Sequence, residues 1–230
     1  MRRRITALIL ALCTVPALAH DLWIERESGA YVLYNGHKHS GHAGTEVIPY
    51  DADFVKQARC YDVEGRVGTE SAGGSPFRLV ADCAVLTLSA SSGYWSKTPY
   101  GTKPLPKDEV TQVVKSWLSL ESVKRIDVWA PVFAAPLTQD LEIVPLEDPL
   151  TLAAGDKLHL RVTLAGQPVS GAVVTYDGDP RGASDAEGHV NVRIRRGGFQ
   201  LIEAGISRPL DSPQADEEIR TAVLVFELPE

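Results

Sequence analysis

Four of the six histidines, His20, His37, His39 and His42, lie between residues 20 and 42, and imidazoles at that density form a ligand set for divalent transition metals. His37 and His39 are two apart, so on an extended segment both rings point to the same side, and His42 can fold back from beyond Ser40-Gly41 to join them. Gly36, Gly41 and Gly44 give the segment the backbone freedom that wrapping around an ion demands. Zinc sits about 2 Å from such nitrogens, and nickel, cobalt and copper accept the same donors. His20 adds a second chemistry if it begins the mature chain: a free α-amine then lies beside its imidazole, and one residue chelates through two nitrogens. An α-amine titrates near pH 8, so protons compete with the ion and binding weakens on acidification.

The start of the chain supports that condition. Met1-Arg2-Arg3-Arg4, the apolar run Ile5 to Leu12 and the small-residue ending Ala17-Leu18-Ala19 have the three parts of a secretory signal, residues 1–19, cleaved after Ala19. The run is too short for a permanent span and no second one follows, so the expectation is a periplasmic protein, soluble and without membrane insertion after cleavage. Cys13 follows Leu12 inside the apolar run, the wrong context for a lipid anchor. Loss of Arg2, Arg3 and Arg4 from the 23 basic residues leaves 20 against 30 acidic ones, which disfavours nucleic acid and anionic lipid as partners and mildly attracts cations. Only Cys60 and Cys83 then remain. In an oxidising compartment the pair reads as a disulfide, which stabilises by roughly 3 kcal/mol through the entropy of the unfolded chain.

The elements that must position these residues read as mainly β. Residues 20–147 are expected to form an N-terminal β-rich metal-binding domain, with strands at Asp21 to Glu25, Ala30 to Tyr34, Phe54 to Tyr61, Cys83 to Leu88 and Ile126 to Trp129. One helix is expected over Lys107 to Leu120, where Val110, Val113, Val114, Trp117 and Leu118 recur at helical spacing behind Asp108 and Glu109. Residues 148–230 read as an Ig-like or transthyretin-like β-sandwich, with strands at Leu158 to Leu164, Ala172 to Tyr176, His189 to Ile194, Phe199 to Ala204 and Thr221 to Leu228. The acidic, proline-bearing stretch from Ser207 to Glu218 reads as an exposed loop.

Other chemistry-bearing residues have plainer explanations. His159 and His189 fall in strands, Asp177, Asp179, Asp185 and Glu187 in Asp-Gly turns without calcium-loop spacing, and the four tryptophans in core positions. The sequence contains no Gly-x-Ser-x-Gly elbow, phosphate loop, zincin motif or dinucleotide fingerprint, so an enzyme is not expected.

Several stretches together resemble a known family: His20-Asp21-Leu22-Trp23-Ile24-Glu25, Tyr34-Asn35-Gly36-His37, Tyr94-Trp95-Ser96-Lys97-Thr98, Leu141 to Leu146 with Asp148-Pro149, and Gly166 to Ala172 with Ser184 to Gly188. The chain is similar over nearly all of its mature length to periplasmic components associated with cobalt and nickel ABC-type uptake, a family often described only as a domain of unknown function. The resemblance implies a secreted β-rich protein that delivers a transition metal to an inner-membrane transporter, with nickel or cobalt as the expected ion and copper or zinc as compatible ones. His20 and His37 match family positions, whereas His39 and His42 rest on local spacing. Two other readings compete: a copper oxygenase with a histidine brace at His20, and a structural Ig-like adhesion or assembly module with no metal affinity. Mass spectrometry of the exported protein should find His20 as its first residue; cleavage anywhere else would remove the amine chelate.

Overall fold

The computed structural model describes residues 21–38 and 46–230. In chain order the strands are β1 Asp21–Glu27, β2 Ala30–His37, β3 Glu46–Val47, β4 Val55–Tyr61, β5 Val67–Ser71, β6 Arg78–Val80, β7 Val85–Thr98, β8 Gly101–Lys103 and β9 Lys115–Ile126. They continue as β10 Leu141–Pro145, β11 Lys157–Leu164, β12 Gln167–Pro168, β13 Val173–Tyr176, β14 Asp179–Ala183, β15 His189–Arg193, β16 Gly198–Pro209 and β17 Glu217–Leu228. Among the described residues the helical pieces are short 3-10 turns at Lys107–Glu109, Pro131–Ala134 and Pro149–Thr151. No helix there is long and apolar enough to cross a membrane.

A nine-stranded sheet in the order β14-β13-β16-β17-β9-β7-β4-β5, with β8 paired to β7, forms the middle of the molecule. Its strands come from both sides of residue 147: β4, β5, β7, β8 and β9 precede it, and β13, β14, β16 and β17 follow. The join is the parallel pairing of β17 with β9, from Glu217 opposite Trp117 to Phe226 opposite Ile126. Successive residues of β17 then bury in opposite directions. Ala222, Leu224, Phe226 and Leu228 enter a core with Leu141, Ile143, Leu158 and Leu160 of the four-stranded sheet β10-β11-β12 with β15. Val223 and Val225 enter a second core with Leu22, Trp23, Ile24 and Leu33 of the four-stranded sheet β1-β2-β3 with β6. The arrangement is a three-layer β sandwich, and it explains why the Ala222-Val-Leu-Val-Phe226 run is continuously apolar where a strand with one wet face would alternate.

The mainly β expectation holds, but the helix over Lys107 to Leu120 does not form. Its first turn is the 3-10 turn; Val110 is already extended, Gln112 takes a positive φ of 58°, and the chain enters β9 at Lys115. Trp117 and Leu118 owe their spacing to cross-strand partners, Trp95 and Tyr94 on β7, and not to a helical face. β-branched Val110, Val113 and Val114 also weaken any helical preference. Two further boundaries shift. The strand expected to reach Trp129 ends at Ile126, because the Asp127 and Val128 amides both donate to the Ala84 carbonyl. The loop expected over Ser207 to Glu218 is shorter, residues 210–216, since β16 runs to Pro209 and β17 resumes at Glu217 directly opposite it.

Two devices pin the β1–β2 layer to the central sheet. Buried Arg125 donates through Nη1 to the Ile24 carbonyl of β1 (3.0 Å), through Nε to Asp127 (2.8 Å) and through Nη2 to Glu227 (2.8 Å). Tyr31 of β2 donates its hydroxyl to Asp127 Oδ2 (2.7 Å), and the Cys83 amide donates back to that hydroxyl (3.3 Å). Cys83 is bonded to Cys60, so the expected disulfide ties β4 to the segment leading into β7. Leu224, fully buried between layers, should cost about 2–5 kcal/mol of stability when cut to Ala, as measured by urea unfolding.

Candidate functional site

Of the four histidines expected to bind metal, the structure describes one. His37 ends β2, half-buried, opposite Glu46 of β3, while His20, His39 and His42 lie outside the described residues. Among the described residues no three His, Cys, Asp or Glu side chains come together as a metal-binding group. The approach of β3 beside His37 depends on Gly36, whose φ is +152° and where a Cβ would lie 1.9 Å from the Glu46 carbonyl oxygen. Thus Gly36 serves close strand approach as much as loop freedom. The same glycine pairs with Asp21, so the first described residue of β1 and His37 sit at one end of the hairpin.

A cluster of charged and aromatic groups surrounds that end. The Lys38 amide donates to Asp21 Oδ2 (3.0 Å), and its ammonium pairs with Glu25 while lying over the rings of Phe199 (4.4 Å) and Trp23 (5.4 Å). Trp23 donates its indole N–H to Glu25 Oε1 at 2.7 Å and stacks on Tyr34 with centroids 5.5 Å apart. Burial works to raise the Glu25 carboxyl. The bonds from Lys38 and Trp23, with the charges of Lys38 and Arg125, outweigh it and hold the group below its ordinary value. Tyr34 bonds Glu27, and that bond, with burial and the nearby carboxylates, pushes its hydroxyl up to about 12.

Toward the β1–β2 layer, the central sheet presents Glu203. It lies on β16, paired with Thr175 of β13 on one side and Val223 of β17 on the other, and it is 1% exposed. Glu203 is two residues from Leu201 on the same strand, so it faces the β1–β2 layer as Leu201 does. Thr175 donates its hydroxyl to Oε2 at 3.0 Å, and Oε1 has no hydrogen-bond partner. Burial first, then the negative charge of Asp21, pushes the carboxyl up to about 7, against the smaller opposing effect of the Thr175 bond. Unlike Glu203, the buried Glu142 on the other face is compensated: it pairs with Lys124 and accepts from the amides of Leu137 (3.0 Å) and Thr138 (2.8 Å).

The remaining histidines behave as strand residues. His159 Nδ1 bonds Glu147 at 2.8 Å, and His189 Nε2 lies 2.9 Å from Arg161. Asp185 accepts from the amides of Glu187 and His189, closing the turn expected there. Sequence reasoning passed over Asp21 and Glu203. The signal for Glu203 is a lone charge in the run Leu201-Ile-Glu-Ala-Gly-Ile206, a stretch apolar enough to be covered on both faces.

Fold and site together define a disulfide-bonded three-layer β protein with a buried carboxyl that has no opposite charge, Glu203, facing the layer of its first strand. The chain belongs to the family described as Domain of unknown function (DUF4198), whose model matches residues 17–208. No curated protein matches it.

The buried carboxyl has a pH signature. Unfolded, Glu203 releases its proton near 4.5; folded, it holds it to about 7, so the native state binds more protons across that window. Stability therefore falls as pH rises from about 4.5 to 7, and a penalty of about 3 kcal/mol persists above it. Urea unfolding at pH 5 and pH 7.5 should show that fall in the parent and a flatter profile in Glu203→Gln.

Proposed function

We propose that this protein is exported to the periplasm, where it binds a divalent transition metal of the nickel or cobalt type and hands it to an inner-membrane transporter. The observation that carries the reading is the concentration of nitrogen donors around the start of the mature chain: His20 with its α-amine, then His37, His39 and His42 in one short segment. The family match begins at residue 17, three residues before His20, and takes in the histidines at 20, 37, 39 and 42. The pairing of Asp21 with Gly36 supports the idea further, since it brings the residue after His20 to the end of the hairpin that carries His37. The disulfide is in keeping with an oxidising compartment.

Binding and release, not turnover, is the task such a site suits. An imidazole and an amine on one residue hold an ion reversibly, and both must lose a proton to do so. Acidification then favours release.

Calorimetric titration of the correctly cleaved, metal-stripped protein with nickel, cobalt, copper and zinc tests the proposal. The parent should bind nickel or cobalt, and His20→Ala should weaken binding by at least about tenfold, as should one extra residue placed before His20. Affinity should also drop between pH 7.5 and pH 5.5, as the amine and imidazoles take up protons. A parent that binds none of the four ions would sink the reading. Oxygen uptake with copper and a reductant would replace it with the oxygenase.

A further inference from the structure

Four strands of the central sheet, β7, β9, β16 and β17, run on past the two cores. On the face toward the β1–β2 layer, the shared core ends at Ala90, Val123 and Val223. The register gives the next rows: Ser119 of β9 lies between Gly93 and Ile219, and Trp117 lies between Trp95 and Glu217, with Pro209 of β16 beyond. Trp95 and Trp117, expected in core positions, belong to neither core. They are half-buried, with ring centroids 6.4 Å apart and planes 12° from parallel. The opposite face of these rows is closed by the chain itself: Ser96 donates to the Leu105 carbonyl (2.9 Å), Ser116 donates to Asp216 (2.6 Å), and both serines are fully buried.

The face that carries the indoles is preorganised and open. Trp95 is held in place: its indole N–H donates to Ser92 Oγ (3.2 Å), and that hydroxyl donates to Glu121 Oε1 (3.1 Å). Ser119 adds a second bond to the same oxygen (2.6 Å). A Cβ built on Gly93 would meet nothing within 4 Å, so the space beside Trp95 is empty. Next to Trp117, residues including Lys115, Ser207, Pro209 and Glu217 line a surface groove of about 420 Å³, a size within the range of small-ligand sites. Trp117 and Glu217 are register partners, so the groove and the indoles adjoin.

The charges here select the ligand. Glu217 pairs with Lys115 and accepts from Ser207 (2.6 Å), Asp216 pairs with Lys107, and Lys97 stands opposite Lys115. With Glu121, three carboxylates meet three ammoniums and the surface has no net charge. A charged ligand gains little from such a field. A pyranose ring is neutral, with an apolar C–H face that lies on an indole and a rim of hydroxyls that bond carboxylates, serines and lysines. We propose that this face is a binding site for a neutral oligosaccharide, with Trp95 and Trp117 as its stacking surface and Lys115, Ser207 and Glu217 as hydrogen-bond partners in the adjoining groove. The site shares no residue with the histidines of the metal-binding reading and stands or falls without it.

Calorimetric titration of the parent with cellohexaose, chitohexaose and maltohexaose tests it, alongside Trp95→Leu and Trp117→Leu. Leucine keeps an apolar side chain on the strand and removes the flat ring, and urea unfolding checks that each variant is folded. The parent should bind at least one of these sugars, and each variant should bind it at least about tenfold more weakly. A second readout needs no variant: saturating sugar should shield the parent's tryptophan fluorescence from quenching by iodide. A parent that binds none of the sugars would overturn the proposal. Unchanged affinity in both folded variants would overturn it too, as would sugar binding that leaves iodide quenching unaltered. A parent that sediments as a dimer, and loses the dimer in either variant, would overturn it in favour of a second copy of this chain on that face.

Discussion

The parallel pairing of β17 with β9 is the interaction on which the rest of the structure depends. β17 is the last strand of the chain, and it lies between β9, from the first half, and β16, its own hairpin partner. Parallel neighbours need a long connection, and here the connection contains the whole β10–β11 layer together with β13 to β16. Once β17 is in place, the middle sheet has a full apolar face on each side. The β1–β2 layer covers one and the β10–β11 layer covers the other, which accounts for two separate cores on a single sheet.

Where the sheet is covered on both faces, a strict condition falls on its polar side chains, because there they do not reach bulk water by turning over. The structure meets the condition in different ways. Lys124 and Glu142 neutralise one another, although burial still draws the Lys124 ammonium below its ordinary value. Arg125 spends its guanidinium on a backbone carbonyl and two carboxylates, and by doing so fastens β1 to the sheet. Glu203 has the Thr175 hydroxyl but no opposite charge, and burial pushes its carboxyl up to about 7. A buried pair with matched charges is structural, whereas Glu203 keeps one buried oxygen, Oε1, without a hydrogen bond.

Local residue patterns explain where sequence reading succeeded. Period-two alternation at Leu158 to Leu164 and His189 to Arg193, with the Asp185-Ala-Glu-Gly188 turn between strands, marks elements whose two faces differ. It failed where long-range pairing outweighed local period. Around Trp117 the spacing of apolar residues imitates a helix, but the tryptophan's partner is Trp95, on the far arm of the β7–β9 pairing, with centroids 6.4 Å apart. The acidic stretch before Glu218 looked like a loop because strand ends that project past the cores need not be apolar.

What the sequence by itself determined is what depends on local composition and pattern: the signal-like start, the mainly β character, the expectation that Cys60 and Cys83 pair, and the histidines crowded between residues 20 and 42. Only the tertiary structure decided that the strands form three layers and that Glu203 is buried between two of them. Glu203 faces Leu22, Trp23 and Leu33 of β1 and β2, about 170 to 180 positions earlier in the chain, as a product of which strands pair and which faces are covered. Burial on both sides is a property of the assembled sheet, and no window of sequence records it; a lone glutamate in an apolar run acquires its charge state, its open oxygen and its neighbour only when the layers close.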